Sequence, residues 1–171
     1  MSFYELVAAR RSHRAYTERP IAPEVLTSIL ETARLAPSAA NRQPWHITVV
    51  QSPAKLNGLA ASYTRDWFRQ APVVLAISGF GDLAWKRSYD QFSSLDTDLS
   101  ILTTHLLLAA QDAGLATCWI AHFEPQVAAQ ALGLAVGEIP FALVTLGYAP
   151  EEQVPAPPKT RKTFEEVVTY L

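Results

Sequence analysis

Residues 10–14, which we call the arginine segment, hold the densest group of anion-binding side chains in the sequence. Arg10, Arg11 and Arg14 surround Ser12, so three guanidinium groups and one hydroxyl can donate hydrogen bonds to a phosphate or to carbonyl oxygens. A simpler interpretation is a solvated helix end, because cations are favourable near a helix C-terminus without any ligand. Residue types alone leave both interpretations open and favour the second.

The distribution of basic residues along the chain bears on the same question. Of the fourteen Lys and Arg residues, eleven lie between Arg10 and Arg87, and the others are Lys159, Arg161 and Lys162. If the two ends of the chain meet in the fold, they create one local anion site. The net charge of −2 argues against nucleic acid as a partner, because binding to a phosphate backbone normally requires a basic surface.

A second segment of interest, residues 36–45, is called the proline loop here. It combines small residues with Asn41, Gln43 and two prolines. This composition predicts a turn that joins a helix to a strand. Composition alone assigns it no function.

Three aromatic side chains within residues 81–95 form a candidate pocket wall. Trp85, Tyr89 and Phe92 have the i, i+4, i+7 spacing that places them on one face of a short helix. They either line a substrate pocket or pack on the core or on a second subunit. The spacing does not distinguish these alternatives.

Histidine and cysteine show neither a metal-binding nor a nucleophile pattern. His105 falls in an apolar stretch with no His or Cys at ligand spacing, which favours a hydrogen-bonded core residue. Cys118 is the single cysteine and is expected to be a small buried hydrophobe. No metal site is predicted, and the impossibility of an internal disulfide fits the cytoplasm.

Hydrophobic patterning predicts one α+β domain over residues 1–171. Helices are predicted over residues 3–9, 23–36 and 97–113, after Pro125, and from Thr163 onward. Strands are predicted over residues 45–50, 73–78, 117–121 and 141–147. Residues 149–158 contain four prolines and are expected to form an extended arm.

Several classes of protein are excluded by what the sequence lacks. No apolar run approaches the roughly 20 residues that cross a bilayer, so no membrane association is expected. The first residues carry an acid and no basic run before an apolar core, which is unlike a secretory signal. A Rossmann dinucleotide site is unsupported, because no Gly-x-Gly-x-x-Gly follows a strand.

Two motifs together resemble the N-terminal signature of the FMN-dependent nitroreductase family. They are Arg-Arg-Ser-x-Arg in the arginine segment and Ala-Pro-Ser-x-x-Asn-x-Gln-Pro-Trp in the proline loop. Later landmarks keep the family's order at Asp96, at the apolar helix, and at residues 113–120, 146–148 and 159–161. The resemblance extends over almost the whole chain, and the joint pattern is specific.

The resemblance implies a three-layer α/β/α sandwich around a mixed, mainly antiparallel sheet, in a domain-swapped homodimer. It further implies an NAD(P)H-dependent flavin oxidoreductase. The expected reaction is ping-pong hydride transfer to nitroaromatic, quinone or related small acceptors. A specialised flavin enzyme on the same fold, such as a reductive dehalogenase, is an alternative. Another is a non-catalytic protein that stores or senses FMN.

The resemblance also implies which residues hold the FMN phosphate, ribityl chain and ring oxygens. These are Arg10, Arg11, Ser12 and Arg14, with Lys159 and Arg161 completing the phosphate site. A second group would reach the cofactor from the partner subunit and comprises Pro37, Ser38, Ala39 and Asn41.

The remaining implied contacts concern the flavin ring. Residues at one strand end would pass over it, namely Trp119, Ile120, Ala121 and His122. A backbone N–H of Ala121 or His122 would face flavin N5, where a donor steers hydride arrival and stabilises the reduced form. Arg65 is the nearest candidate for the ring atoms O4 and N3.

Overall fold

The computed structural model describes residues 1–151 and 158–171. Its helices are α1 (Phe3–Ala9), α2 (Pro23–Arg34), α3 (Pro53–Leu59), α4 (Leu95–Asp112), α5 (Pro125–Leu132) and α6 (Phe164–Val167). Its strands are β1 (Trp45–Val50), β2 (Val73–Phe80), β3 (Ala116–Ile120) and β4 (Glu138–Gly147). Short 3₁₀ helices lie at Ala39–Asn41, Ala60–Ser62 and Asp66–Gln70.

The four strands form one sheet in the order β1-β2-β4-β3, and every pairing between them is antiparallel. Parallel pairing occurs at an isolated bridge between Ser12 and Thr117, at the β3 edge. The sequence predicts a mixed sheet, but within the described residues this bridge is the only parallel pairing. The sheet itself is antiparallel.

Alternation along β2 divides the core between the two faces of the sheet. Val73, Leu75 and Ile77 belong to one cluster, which includes residues of α2 and α4. Val74 and Ala76 belong to a second cluster, which includes residues of α3 and α5. Successive side chains of a strand point to opposite faces, so the continuous apolar run of β2 is buried on both sides. Helices cover both faces as a result.

The apolar helix is central, as its composition predicts. Leu99, Leu102 and Leu106 on α4 are fully buried. Each such side chain contributes about 1.5–3 kcal/mol relative to an exposed one. The helix begins two residues earlier than predicted, at Leu95.

Local signals placed several elements accurately. Strand β1 has the predicted bounds, and α1 starts with a complete capping box. In that box the Ser2 hydroxyl accepts from the Glu5 backbone N–H, and the Glu5 carboxylate accepts from the Ser2 N–H. Helix α3 was not predicted, because among its seven residues only Leu59 is buried and no apolar periodicity marks it.

The predicted aromatic helix is wrong. Residues 81–94, called the aromatic turn below, contain turns and an antiparallel bridge between Lys86 and Ser93. The Asp90 carboxylate accepts two hydrogen bonds from Arg87, at 2.8 and 2.6 Å, and one from the Phe92 N–H at 3.1 Å. The bond to the Phe92 N–H competes with a helix. Two backbone bonds of 2.9 Å close the turn, from the Arg87 N–H to the Phe92 carbonyl and from the Ser94 N–H to the Trp85 carbonyl.

The Pro-rich arm predicted over residues 149–158 falls mostly on residues 152–157, outside the described residues. Of the helices in the described part, none is both long and apolar enough to cross a membrane.

Candidate functional site

The arginine segment lies along β3, an edge strand of the sheet. The His13 N–H donates to the Thr117 carbonyl at 2.8 Å, next to the Ser12–Thr117 bridge. The Tyr16 hydroxyl donates to the His13 carbonyl at 2.8 Å and is hydrogen-bonded to the Thr145 hydroxyl at 2.6 Å. Tyr16 and Thr145 are both buried. Their hydroxyls therefore fasten the segment to the middle of the sheet.

Cys118 lies beneath this segment. Burial raises the pKa of the Cys118 thiol, against the opposing effects of the Arg14 charge, a hydrogen bond with Ser12 and the Arg10 charge. A thiol with a raised pKa is a poor nucleophile. The prediction that Cys118 is a small buried hydrophobe is confirmed by its 3% exposure.

The two basic ends of the chain meet at the end of α1. The Lys159 ammonium donates to the Val7 carbonyl at 3.0 Å. Partial burial lowers the pKa of Lys159, and the nearby charges of Arg10, Arg11 and Arg161 lower it further. We call these four residues the cation cluster.

The cation cluster has the charge pattern of an anion site. Within residues 1–151 and 158–171, no salt bridge joins Arg10, Lys159 or Arg161 to a carboxylate. Neighbouring like charges repel one another, and a multiply charged anion relieves that repulsion. The donors present match a phosphate monoester.

The proline loop has a strained backbone. Ala40, Asn41 and Gln43 have φ values of 50°, 52° and 48°, in the left-handed region. For Ala40 and Gln43 this conformation costs about 1–2 kcal/mol each, whereas asparagine adopts it more readily. Strain of this kind persists only where surrounding contacts hold it, and it is frequent at functional sites.

Several contacts hold the end of this loop. The Gln43 N–H donates to the Ser38 hydroxyl at 2.9 Å, and the Phe80 N–H donates to the Pro44 carbonyl at 2.9 Å. Gly79 makes this approach possible, because a Cβ at that position would lie 2.6 Å from the Pro44 oxygen. The loop is therefore fixed against the end of β2.

Within one chain, the arginine segment and the proline loop belong to opposite edges of the sheet. The proline loop leads into β1, and the arginine segment lies alongside β3. In the strand order β1-β2-β4-β3, three inter-strand spacings separate β1 from β3. At about 4.8 Å per interval, the two edge strands are roughly 14 Å apart. A single chain does not bring the two predicted halves of the FMN site together at one strand.

The exposed end of β3 opens into a cavity of about 230 Å³, whose lining includes His122 and Arg65. Ala121 and His122 are exposed just beyond the strand. The Ile120 side chain is buried in the core, and the Trp119 ring packs edge-on against Phe141 with centroids 5.8 Å apart. The side chains of Ile120 and Trp119 are therefore engaged in packing, while Ala121 and His122 lie on the surface.

The aromatic turn lies outside the core of the single chain. Tyr89 is 95% exposed, and Trp85 and Phe92 are 36% and 47% exposed. The alternative in which Tyr89 packs on the chain's own core is therefore wrong. Two alternatives remain for Tyr89, namely that it lines a substrate pocket or that it packs on a second subunit.

The model of the nitroreductase family matches residues 7–148 of this sequence. The chain belongs to the nitroreductase family. It is 32% identical over 193 residues to an NADH dehydrogenase of Thermus thermophilus, and the match covers 94% of this chain and 92% of that protein.

Solved structures of nitroreductase-family proteins share the fold along nearly the full length. A member from Clostridium difficile 630 superimposes with a TM-score of 0.90 at 33% identity and covers 99% of this chain and 98% of that one. An Exiguobacterium sibiricum nitroreductase solved in complex with FMN has a TM-score of 0.83 and 24% identity, covering 100% and 98%. At that identity the likeness shows the fold alone.

Sequence reasoning missed one buried carboxylate of this nitroreductase-family chain. Asp98 is 1% exposed, and its two oxygens accept from the Ala39 N–H at 2.9 Å and the Ser94 hydroxyl at 2.7 Å. A signal was available, because Asp98 falls between Leu95 and Leu102 on the face of α4 that the apolar residues occupy. A carboxylate on that face needs a buried partner.

Tyr16→Phe is expected to loosen the arginine segment while leaving the core filled. The variant removes the donor to the His13 carbonyl and the partner of Thr145, and an unsatisfied buried polar group costs about 1–3 kcal/mol. Urea unfolding should show this loss. Tyr63→Phe is the control, since Tyr63 is half-buried and makes ring contacts with Trp67 and Phe68. Equal stability of the two variants would contradict the role given to Tyr16.

Proposed function

We propose that this protein is a cytoplasmic FMN-dependent NAD(P)H oxidoreductase that reduces nitroaromatic, quinone or related small electron acceptors. The observation that carries the proposal is the cation cluster, formed where the two ends of a nitroreductase-family chain meet. The name of the Thermus relative and the FMN complex of the Exiguobacterium protein support the cofactor and the donor.

The residues of the cation cluster fit the phosphate of FMN. Arg10, Arg11, Lys159 and Arg161 would neutralise its charge, and Ser12 and Arg14 would donate to the ribityl chain and the ring oxygens. FMN, when bound, supplies the two-electron redox chemistry that no side chain of this protein offers. The protein contributes binding, orientation and electrostatics.

Residues at the end of β3 would contact the edge of the flavin ring. Backbone N–H groups of Ala121 or His122 would donate to flavin N5, and the Arg65 guanidinium would donate to flavin O4, beside N3. The placement of Arg65 and His122 in one cavity supports this arrangement. Nicotinamide and acceptor would occupy the remaining space in turn, and Trp85, Tyr89 and Phe92 would border it.

A domain-swapped homodimer would complete the site. In this proposal, each proline loop (Pro37, Ser38, Ala39 and Asn41) reaches the FMN held by the arginine segment of the partner, across the separation seen within one chain. The tail supports such an exchange, because its apolar side chains Phe164, Val167, Tyr170 and Leu171 are all exposed in the single chain. Each subunit would be a three-layer sandwich, with helices on both faces of the sheet.

Purification and anaerobic mixing test the proposed function. The protein is expected to be yellow, to release FMN on heating, and to lose its absorbance near 450 nm on mixing with NADH or NADPH in a stopped-flow instrument. A colourless protein that FMN does not reconstitute would contradict the proposal. A yellow protein that neither nucleotide bleaches would instead favour FMN storage or sensing.

Initial rates with a quinone acceptor test the shared space above the ring. Because donor and acceptor would bind there in succession, double-reciprocal plots at several acceptor concentrations should give parallel lines. Each substrate should also inhibit at high concentration. Intersecting lines would show a ternary complex and overturn the shared-space mechanism without affecting the FMN assignment.

A further inference from the structure

The contacts of Asp98 connect the central helix α4 to the proline loop. One carboxylate oxygen accepts from the Ala39 N–H at 2.9 Å, and the other from the Ser94 hydroxyl at 2.7 Å. Asp98 is separated from Ala39 by 59 residues and is 1% exposed. The loop leaves this contact directly into Ala40 and Asn41, both in the left-handed region.

We propose that Asp98 is a positioning residue for the FMN site of the partner subunit. It acts by holding the proline loop in its strained conformation. This inference rests on the proposed function, in which the loop reaches the partner's cofactor. Asp98 itself touches neither cofactor nor substrate.

The chemistry of the contact explains why a carboxylate is suited to this position. A buried carboxylate is stable only when its oxygens accept hydrogen bonds, and here each oxygen has one donor. Charge-assisted hydrogen bonds to backbone N–H groups are stronger than neutral ones. Without this acceptor the Ala39 N–H loses its partner, and the following left-handed residues can relax.

Three variants separate positioning from general damage to α4. Asp98→Ala is expected to weaken FMN binding about tenfold or more, as loss of a charge-assisted bond predicts. Asp98→Asn keeps an oxygen for Ala39 and an amide donor for Ser94, so it should recover most of the affinity. Asp96→Ala removes an exposed acid from the same first helical turn and should match the wild type.

Removing the donor tests the same contact from the loop. Ala39→Pro deletes the N–H that Asp98 accepts, at the first position of a 3₁₀ turn where proline is tolerated. Its loss of affinity should not add to that of Asp98→Ala in a double-mutant cycle. Additive losses would show that the contact is not the cause. The proline variant also tests the contact should Asp98→Ala fail to fold.

Mixed dimers, purified with two different tags, decide which subunit Asp98 serves. An Arg10→Ala subunit paired with an Asp98→Ala subunit should retain one tight FMN site, because one arginine segment and the loop facing it are both intact. A doubly substituted subunit paired with wild type should retain none. The opposite pattern would show that Asp98 acts within its own subunit and would overturn the proposal.

The wild-type titration separates this inference from the proposed function. A wild type that binds no FMN contradicts the proposed function and the inference together. Normal wild-type affinity with an Asp98→Ala variant no weaker than Asp96→Ala contradicts the inference alone.

Discussion

Replacing Arg161 with alanine is expected to weaken FMN binding by about ten- to hundredfold, the effect of losing a charged hydrogen bond worth roughly 1.5–3 kcal/mol. Arg161 lies near Lys159 at the meeting point of the two basic ends. Among the described residues it has no carboxylate partner that would compete for its charge. Its guanidinium is therefore available to a phosphate. Fluorescence titration of the apoprotein with FMN measures the change.

Arg34→Ala is the matched control for this experiment. Arg34 is exposed on α2 and pairs with Glu31, so its removal should leave FMN affinity unchanged. The affinity of the wild type should also fall as salt increases, since screening weakens contacts between exposed charges. Unchanged FMN affinity in Arg161→Ala would remove Arg161 from the site.

Replacing Phe164 with aspartate is expected to separate the proposed homodimer and to release FMN with it. Phe164 is 57% exposed in the single chain, and the proposed dimer buries it against the partner. Losing a buried phenylalanine costs about 1.5–3 kcal/mol, and a desolvated charge adds to this, so dimer dissociation should increase about 100-fold or more. Sedimentation equilibrium across micromolar concentrations measures dissociation, and absorbance near 450 nm follows bound FMN.

The local helix should survive this substitution. Phe164 is the first residue of α6 after its capping residue Thr163, where an acid interacts favourably with the helix dipole. Val136→Asp places the same charge at a fully exposed position before β4 and should leave the dimer intact. A monomeric wild type that retains FMN, or a Phe164→Asp variant that remains dimeric, would contradict the proposed exchange of tails.

The elements that the sequence predicts well are those specified by local interactions. The capping boxes at Ser2 and Thr163 involve residues three apart, and both form as predicted. Strand β1 and the apolar helix α4 follow from short-range patterning. The two motifs that carry the family resemblance are also contiguous segments, which is why the nitroreductase family was identified from the sequence.

The aromatic turn shows where local patterning fails. The i, i+4, i+7 spacing of Trp85, Tyr89 and Phe92 is compatible with a helix, but three residues can also have this spacing by chance. The structure has a turn there, in which the Asp90 carboxylate accepts from the Phe92 N–H and the Arg87 N–H donates to the Phe92 carbonyl. Side chains that bond to nearby backbone compete directly with helical hydrogen bonding, and a hydrophobic pattern does not register that competition.

The sequence alone determined the family, the order of the main elements and the segments that carry the candidate site. Only the tertiary structure decided that Lys159 lies close to Arg10 and Arg11, that the arginine segment and the proline loop occupy opposite sheet edges, and that Asp98 holds Ala39. These relations join residues far apart in the chain. They depend on strand order and helix packing, which no local pattern encodes, because each is fixed by the burial of the whole core.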